Sequence, residues 1–546
     1  MIIREANSPA LRASSSAALA YLSRMASVVK QGEDALAGFA AIVGADNVLT
    51  DPETLEFYAT DVFRRHELPL AVVRPGSARE IAALVARARD HAMPVVMRGG
   101  GASYTDAYAH LKRGGITLDF ARMKAITIDE DNALVHVEPG VTWAELRETL
   151  GRRGLKTRFW GSYSGLNATV AGGVSMNAIS HGQGTAADSV VSLAVVTGTG
   201  EILSTGSALS GPALPFSRHY GPDLTGVFTG DCGALGIKVS ITLPLERAGA
   251  AHGAASFDFA RFEDLHEALR RVAASGLAEE NFGLDEALQQ GQIGEADLSD
   301  KIDMAGAVMK NSGSLAKGAT TVAKMALAGS KGIAKAKFAG HFIAEGFDET
   351  DAAHRIEEIR RIAGEHGSPI APSVPEVVRA MPFAPLNNVV GPKGERWLPM
   401  HAQLPHSAAP RFHAALQAYW QSRRADMDAQ GIYTGGMFMA VGTSVFIYEP
   451  TFYWPDARNI YHERTVEPDH LKGLPTYDPA PEAEALVKQM KREVVALMHE
   501  HGGVHYQIGR SYPYLEDHDP PHLALVRALK RELDPGGIIN PGALGL

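Results

Sequence analysis

The stretch Arg98–Gly99–Gly100–Gly101–Ala102–Ser103 decides the fold of this chain, and it follows a short apolar run at 94–97. The apolar run is typical of a buried strand. Three successive glycines remove every Cβ from the turn, so another group can approach the backbone closely and reach its N–H groups. A row of such amides beside an arginine is suited to a pyrophosphate. A tight surface turn is the alternative interpretation.

The composition limits the classes of protein that this chain can belong to. Its 546 residues are 45% hydrophobic, which predicts two or more domains. The net charge of −10 argues against nucleic acid as a partner. Cys232 is the single cysteine, so disulfide frameworks, cysteine-rich zinc sites and iron–sulfur clusters within one chain are excluded. No apolar run is long enough to span a membrane, and residues 1–40 lack the apolar core of a secretory signal.

Helix and strand signals alternate from about residue 40 onward. Residues 70–74 form an apolar strand, and capping boxes at Ser77–Glu80 and Thr142–Glu145 each open a helix. This mixture predicts an α+β domain. A nicotinamide-type dinucleotide fold is excluded, because Tyr104 occupies a position where its fingerprint requires glycine and no helical pattern follows the turn.

Two further glycine-rich stretches follow. Residues 161–178 are rich in Gly, Ser, Asn and Thr over far more than a turn length, and they are interpreted as a long ordered loop. Residues 230–237 form another glycine turn that leads into an alternating strand at 238–245. Small side chains over such lengths favour a backbone surface against a large flat ligand; an irregular structural loop is the alternative.

The character of the sequence changes near residue 246. An amphipathic helix is predicted at 262–274 and another at 480–500. The region 280–345 is rich in Ala, Gly and Lys, and four of its lysines recur every seven residues, namely Lys310, Lys317, Lys324 and Lys331. A solvated helix face is the simpler interpretation, and a basic element that contacts an anionic membrane surface or a partner is the alternative.

Four separated segments together resemble the FAD-linked oxidoreductases of the vanillyl-alcohol oxidase and p-cresol methylhydroxylase (PCMH) type. Residues 98–103 resemble the family's pyrophosphate loop, and 169–188 resemble its second loop along the flavin. Residues 223–237 resemble the segment around the adenosine, and 534–542 resemble the C-terminal signature. The resemblance implies an α+β fold with a two-subdomain PCMH-type FAD-binding domain and an α+β cap domain that binds the substrate.

The same resemblance implies a division of the chain into four parts. These are an N-terminal extension at 1–40, the FAD-binding domain at 41–245, the cap at 246–500 with an insertion at 280–345, and a C-terminal segment at 501–546 that returns to the FAD-binding domain.

The matched motifs also imply which residues contact FAD. The expected set is Arg98, Gly99, Gly100, Gly101, Ala102, Ser103, Tyr104, Ser162, Thr169, Gly172, Gly173, Ser175, Asn177, Gly182, Thr185, Asp188, Gly233, Leu235, Gly236, Ile237 and Asn540. In many members a histidine of the glycine turn is bonded to the flavin, and Ala102 stands at that position here. We therefore expect noncovalent FAD, with a link from a cap residue such as His462 left open.

Two subfamilies of this family imply different substrates for the chain. Members that oxidise 2-hydroxy acids such as lactate or glycolate carry a histidine metal motif, and the corresponding residues 435–443 contain no histidine. Members that oxidise phenolic alcohols end the cap with a Tyr-Arg pair, whereas Tyr506 here precedes Gln507. We expect no metal and oxidation of an aromatic or phenolic, benzylic-type alcohol by hydride transfer to flavin. A 2-hydroxy acid dehydrogenase and a non-catalytic flavin-fold binding protein are the alternatives.

The candidate catalytic residues lie near the end of the cap. They are His505, Tyr506, Arg510 and His462, and the last of these follows an aromatic-rich segment at 448–461. Structural histidines, a core tyrosine and a surface ion pair are the alternative interpretations. The expected partners are a small alcohol, an electron acceptor (oxygen, a cytochrome or a quinone) and a second copy of the chain. The expected location is the cytoplasm, with peripheral contact to the inner membrane through residues 310–337 as an alternative.

Overall fold

The structure is a computed structural model that describes residues 32–180, 184–210, 214–293, 336–515 and 519–546. Most of the predicted N-terminal extension, Gly182 and the four regularly spaced lysines lie outside these residues. Within the described ranges, no helix combines the length and the apolarity that crossing a bilayer requires.

The first sheet has four strands in the order β1-β2-β4-β3. Its strands β2 and β3 flank β4 in parallel, and all residues of β2 and β4 are buried. Ser77 caps the third helix as predicted, accepting a hydrogen bond from the Glu80 backbone at 3.2 Å, while the Glu80 carboxylate accepts from Gly76 at 2.7 Å. The strands and helices are β1 (Val48–Leu49), β2 (Ala71–Val73), β3 (Val95–Arg98), β4 (Ile116–Asp119), α1 (32–43), α2 (Pro52–Tyr58) and α3 (Ala78–Asp90).

The second sheet is antiparallel, with five strands in the order β5-β6-β10-β8-β9. The predicted capping box at Thr142 and Glu145 is present, with both reciprocal hydrogen bonds. Its elements are β5 (Ile126–Asp129), β6 (Leu134–Val137), α4 (Trp143–Gly151), α5 (Val170–Met176), β8 (Ser192–Val196), β9 (Ile202–Ser204), α6 (Leu224–Val227) and β10 (Ile237–Pro244), beside a short ladder of β7 (Leu155–Lys156) with β11 (Glu246–Arg247).

The stretch 161–178 is only partly a loop, which corrects the sequence-based interpretation. Residues 170–176 form helix α5, because Thr169 caps it by accepting a hydrogen bond from Gly172 at 3.1 Å and because Val170 and Val174 are buried. The many glycines concealed this helix, since glycine is a poor helix former on average.

The third sheet has eight antiparallel strands and forms the centre of the second half of the chain. Strands β13 and β14 lie in its middle, so the ends of the predicted insertion at 280–345 belong to the sheet instead. Its strands are β12 (Ala251–Phe259), β13 (Glu280–Asp285), β14 (Phe338–Gly346), β15 (Ser368–Ile370), β16 (Arg396–Pro399), β17 (Ala402–Pro405), β18 (Tyr433–Val441) and β19 (Val445–Trp454).

Helices pack on this sheet and beside it around a large apolar core. The predicted helix at 262–274 is α7, and the one at 480–500 is α14. The helices are α7 (Phe262–Ser275), α8 (Glu286–Ile293), α9 (Glu349–Gly364), α10 (Ser373–Ala380), α11 (Ala409–Ala429), α12 (Ile460–Thr465), α13 (Pro468–Lys472), α14 (Pro481–Glu500) and α15 (Pro520–Leu533).

The segment after α15 returns to the first sheet. Val95 donates a backbone hydrogen bond to Ile538 at 2.8 Å, and Asn540 donates one to Val95 at 2.8 Å. Residues 538–540 therefore pair with β3 along the edge that faces away from β4, and β3 leads directly into the glycine turn.

Candidate functional site

A cavity of about 1730 Å³ lies between the three sheets. Its volume exceeds the roughly 300–1,000 Å³ of an ordinary single-ligand pocket, so it has room for two ligands. The sequence-predicted residues that line it are Gly99, Gly100, Gly101, Ala102, Ser103, Tyr104, Ser162, Thr169, Gly172, Gly173, Ser175, Gly233, Gly236, Ile237, Tyr506 and Asn540.

The glycine turn lies in close contact with the segment before α5. A Cβ on Gly100 would stand 1.7 Å from the backbone oxygen of Asn167, and one on Gly99 would stand 2.5 Å from Oγ1 of Thr169. Gly101 has a φ of +66°, in the left-handed region that favours glycine. The three glycines are therefore required for this wall of the cavity.

The amides of the turn have the property expected of an anion site. Within the described parts of the chain, the backbone N–H groups of Gly100, Gly101, Ala102 and Ser103 donate no hydrogen bond to protein atoms. Gly101 is buried, whereas Gly100 is exposed and Ala102 and Ser103 are half-buried, so most of these unpartnered amides can be reached from the cavity. These residues line the cavity, so they fit a pyrophosphate, and the turn is the part of the chain that would hold it.

Arg98 does not take the place expected from the sequence. Its guanidinium lies over the rings of Phe57, Tyr58 and Tyr108, at 4.3, 4.9 and 4.8 Å, and it donates to the Phe57 carbonyl at 2.7 Å. The side chain is 3% exposed and does not line the cavity. Arg98 therefore supports the turn from behind, because three aromatic rings bind its charge there.

Several other predicted cofactor residues also lie outside the cavity wall. Asn177 ends α5 in the left-handed conformation, Leu235 is in a core cluster, and Thr185 donates to Asp188 at 2.9 Å. Asn540 lines the cavity, but its side chain amide donates to the carbonyls of residues 107 and 232 at 2.9 and 2.7 Å. These residues shape or brace the wall.

The part of the cavity that begins at Tyr104, directly after the glycine turn, carries a carboxylate between two tyrosines. We call this part of the cavity the aromatic end. Tyr506 donates to Oε1 of Glu449 at 2.5 Å, and Tyr104 donates to the same oxygen at 3.5 Å. All three residues line the cavity. Burial first, and the Glu449 charge second, raise the pKa of Tyr506 well above its usual value, so both hydroxyls keep their protons. Glu449 is not among the residues predicted from the sequence, although it is the single carboxylate of the apolar strand β19.

His401 holds Tyr506 from behind. Its Nε2 donates to the Tyr506 carbonyl, and its ring lies 3.9 Å from the Tyr506 ring. Burial, with a smaller contribution from His505, lowers the pKa of His401 well below its usual value, so the imidazole is neutral. A neutral donor can fix Tyr506 without placing a charge behind the cavity.

The remaining three predicted catalytic residues do not reach the cavity. His505 pairs with the His401 carbonyl at 2.7 Å and stacks on Tyr512. Arg510 donates to Asn540 at 2.6 Å and to backbone carbonyls, and His462 is 0% exposed in the first turn of α12. These three side chains make contacts inside the protein, and the sequence pattern does not predict those contacts.

Apolar and aromatic side chains form the rest of this end. Phe282, Leu284, Met437, Met439, Trp397 and Tyr453 line it, and the Trp397 ring lies 5.7 Å from that of Tyr104. Of the residues that the structure describes on the cavity wall, Lys238 and His470 are the basic ones, and Lys238 is ion-paired with Asp231. Three glutamates line the cavity, namely Glu148, Glu449 and Glu467, and Glu449 is the one that the two tyrosines bind; no arginine lines the described wall.

A buried acidic cluster lies behind the glycine turn. Asp106 forms an ion pair with Arg64 and accepts a hydrogen bond from His66 at 2.8 Å. Burial works to raise the pKa of Asp106, but these two partners outweigh it and hold the pKa far below its usual range. Burial, and then the Asp106 charge, raise the pKa of Asp61 to about 7. Arg64 supplies the positive charge that balances the two carboxyl groups.

Replacing Asp61 by asparagine will change how stability depends on pH. Folded Asp61 has a pKa of about 7, against about 3.9 when unfolded, so the native protein holds an extra proton between these values and loses stability as pH rises through them. Asp61→Asn removes this loss, so the variant gains about 3 kcal/mol over the parent between pH 5 and pH 8. Urea unfolding at pH 5 and pH 8 measures the free energy of unfolding of both proteins. An equal change of this free energy with pH in the parent and the variant would contradict the prediction.

Comparison with known proteins identifies the family. Residues 69–206 match the model of the FAD binding domain, and residues 408–544 match that of the FAD linked oxidases, C-terminal domain. The chain therefore belongs to the FAD-linked oxidoreductases of the PCMH type, and FAD is its cofactor. The family and the cofactor predicted from the sequence are both confirmed.

Two curated relatives each match about half of the chain. The chain is 30% identical over 250 residues to an uncharacterised FAD-linked oxidoreductase of Mycobacterium tuberculosis, covering 44% of this chain and 52% of the relative. It is 26% identical to the mitochondrial cytochrome-linked D-lactate dehydrogenase of Arabidopsis thaliana, over 50% and 46% of the two chains. The chain thus spans about half the length of these curated relatives.

Solved structures share the whole fold at low identity. A substrate complex of p-cresol methylhydroxylase superposes with a TM-score of 0.71 at 16% identity, covering 95% of this chain and 97% of the other. The 4-ethylphenol oxidase of Gulosibacter chungangensis gives a TM-score of 0.64 at 17% identity, over 94% and 97%. The predicted α+β fold with a PCMH-type FAD-binding domain is confirmed.

Proposed function

We propose that this protein oxidises an uncharged aromatic or benzylic-type alcohol by hydride transfer to FAD. The observation that supports this proposal is the group of Tyr104, Tyr506 and Glu449 at an otherwise apolar end of the cavity. A carboxylate there accepts a hydrogen bond from a substrate hydroxyl. Aromatic walls at Trp397 and Tyr453 suit an aromatic ring.

The same geometry disfavours a 2-hydroxy acid. The carboxylate of lactate or glycolate would enter a buried space that already holds Glu449, and no arginine lines the described wall of the cavity. Burying two negative charges together without a cation is costly. Phenolate is disfavoured for the same reason, so we expect a phenolic substrate to bind with its proton.

The chain's own residues supply the proton chemistry. When bound, FAD supplies the acceptor for the hydride of the alcohol carbon. Glu449 takes the hydroxyl proton as general base, and Tyr506 orients its carboxylate through the 2.5 Å hydrogen bond. The apolar wall excludes water, which strengthens the electrostatic interactions of Glu449.

Anaerobic reduction of the flavin tests the proposal. The purified holoprotein is mixed without oxygen with vanillyl alcohol in one sample and with D-lactate in another, and absorbance near the flavin band is followed. We expect bleaching by vanillyl alcohol and none by D-lactate. Bleaching by D-lactate alone would favour the 2-hydroxy acid alternative, and a protein that takes up no FAD would refute the enzyme proposal. Admitting air afterwards shows whether oxygen reoxidises the flavin.

FAD is expected to be bound without a covalent link. Cys232 lines the cavity, but its Sγ accepts a hydrogen bond from the Gly509 amide at 3.2 Å, and burial raises the pKa of its thiol to about 12. A protonated thiol is a weak nucleophile. Acid precipitation should therefore leave the yellow colour in the supernatant. Flavin that stays with the precipitated protein would contradict this expectation, and peptide mapping would then identify the attachment residue.

A further inference from the structure

Helix α10 forms a fixed wall of the cavity. Its charged residues are bound on the outer side, where Arg379 forms a 2.8 Å ion pair with Glu345 and Glu376 lies 3.5 Å from His252. Both partners belong to the third sheet, on β14 and β12. The helix is thus attached to the sheet by its charged side chains.

The opposite face of α10 is apolar and lines the cavity. Val374, Val377, Val378 and Met381 are spaced three and four residues apart, so they share one helix face. Val374 and Val378 pack against the cluster that contains Phe282, Leu284, Met439 and Tyr506. The apolar wall is therefore continuous from the proposed reacting end to α10.

The segment after α10 crosses to the FAD-binding half. Ala384 donates a backbone hydrogen bond to the Tyr163 carbonyl at 3.1 Å, and the Phe383 ring lies 5.8 Å from that of Trp160. A Cβ on Gly165 would stand 2.4 Å from the Phe383 ring, so this contact is close. The apolar wall is held at both of its ends.

We infer that the substrate carries an extended apolar group, an alkyl chain or a second hydrophobic ring system, which lies along α10 while its hydroxyl reaches Glu449. This inference rests on the proposed function for the position of the hydroxyl. The polar groups of Tyr104, Tyr506 and Glu449 lie close together in the cavity. Val374, Val378 and Met437 are only partly buried, so their apolar surface remains for a ligand to cover. Two flexible methionines, Met437 and Met439, let the wall adapt to such a group.

Binding of unreactive phenols to the holoprotein tests the inference without any turnover. Phenol, 4-butylphenol and 4-octylphenol are titrated by calorimetry and by perturbation of the flavin spectrum. We expect the Kd to fall by about fourfold for each methylene that is buried. A Kd that does not fall along the series would overturn the inference. A falling Kd in a protein that no alcohol bleaches would refute the proposed reaction alone.

Variants of α10 locate the apolar group. Val378→Asn should reduce the ratio of Kd values between phenol and 4-octylphenol by about tenfold, because a polar group then faces the alkyl chain. Val378→Thr keeps the size of the side chain and should show a smaller reduction in the same direction. Leu525→Asn changes an exposed apolar residue of α15 and is the matched control. FAD content and thermal unfolding confirm that each variant is folded, and an unchanged ratio in both Val378 variants would contradict the assignment.

Discussion

Gly100→Ala will produce a protein that retains little or no FAD. The new Cβ would stand 1.7 Å from the Asn167 carbonyl oxygen and 2.4 Å from its carbon, and both belong to backbone that cannot rotate away. This clash can be relieved only if the turn moves away from the segment before α5. Such a movement displaces the amides proposed to bind the pyrophosphate. We expect the ratio of flavin to protein to fall by at least about tenfold, as a loss of binding free energy above about 1.4 kcal/mol requires.

The matched control is Gly151→Ala, since a Cβ on Gly151 meets nothing within 4 Å. Its flavin content should equal that of the parent. The absorbance ratio of flavin to protein after gel filtration gives the result, and FAD titration into the apoprotein gives the affinity. A Gly100→Ala protein with full flavin content would show that the turn does not form the cofactor wall.

Glu449→Gln will have the largest effect on turnover. Glutamine keeps the size of the side chain and an oxygen that accepts from Tyr506, but it cannot take a proton. Loss of a general base lowers the rate of proton transfer by about 10²–10⁴-fold. We expect the rate of anaerobic flavin reduction by the alcohol to fall by this factor, with the FAD content unchanged.

Tyr104→Phe is the control for this experiment, because it removes the longer, 3.5 Å hydrogen bond to the same carboxylate oxygen and leaves the carboxylate itself in place. Its rate should fall by less than that of Glu449→Gln. The pH profile separates a base from a packing role, since the acidic limb of the rate should disappear in Glu449→Gln and persist in Tyr104→Phe. A Glu449→Gln rate close to that of the parent would refute the proton-accepting role.

The glycine turn could be predicted because its requirement is local. Three glycines within six consecutive residues after a buried strand predict a backbone that another group can approach closely. The contact between Gly100 and the Asn167 carbonyl agrees with that prediction. The direction of Arg98 could not be predicted in the same way. It depends on Phe57, Tyr58 and Tyr108, which only the folded chain brings around its guanidinium.

The proposed reacting end of the cavity is harder to predict for the same reason. Tyr506 is predicted from its place near the end of the cap, and it lines the cavity, whereas the side chains of His505 and Arg510 lie in packing contacts. Glu449 lies 57 positions from Tyr506 in the sequence, and its role depends on where β19 lies in the third sheet. Short-range patterns cannot show such a pairing, because it is created by the strand order.

The return of residues 538–540 to strand β3 has a consequence for biosynthesis. Asn540 donates to the Ala107 carbonyl across 433 positions of sequence, so this wall of the cavity cannot close until residue 540 has left the ribosome. Contacts of such long separation slow folding, and exposed sheet edges invite aggregation in the meantime. We therefore expect cofactor loading to be post-translational, and the yield of holoprotein to depend on the supply of FAD and chaperones during expression.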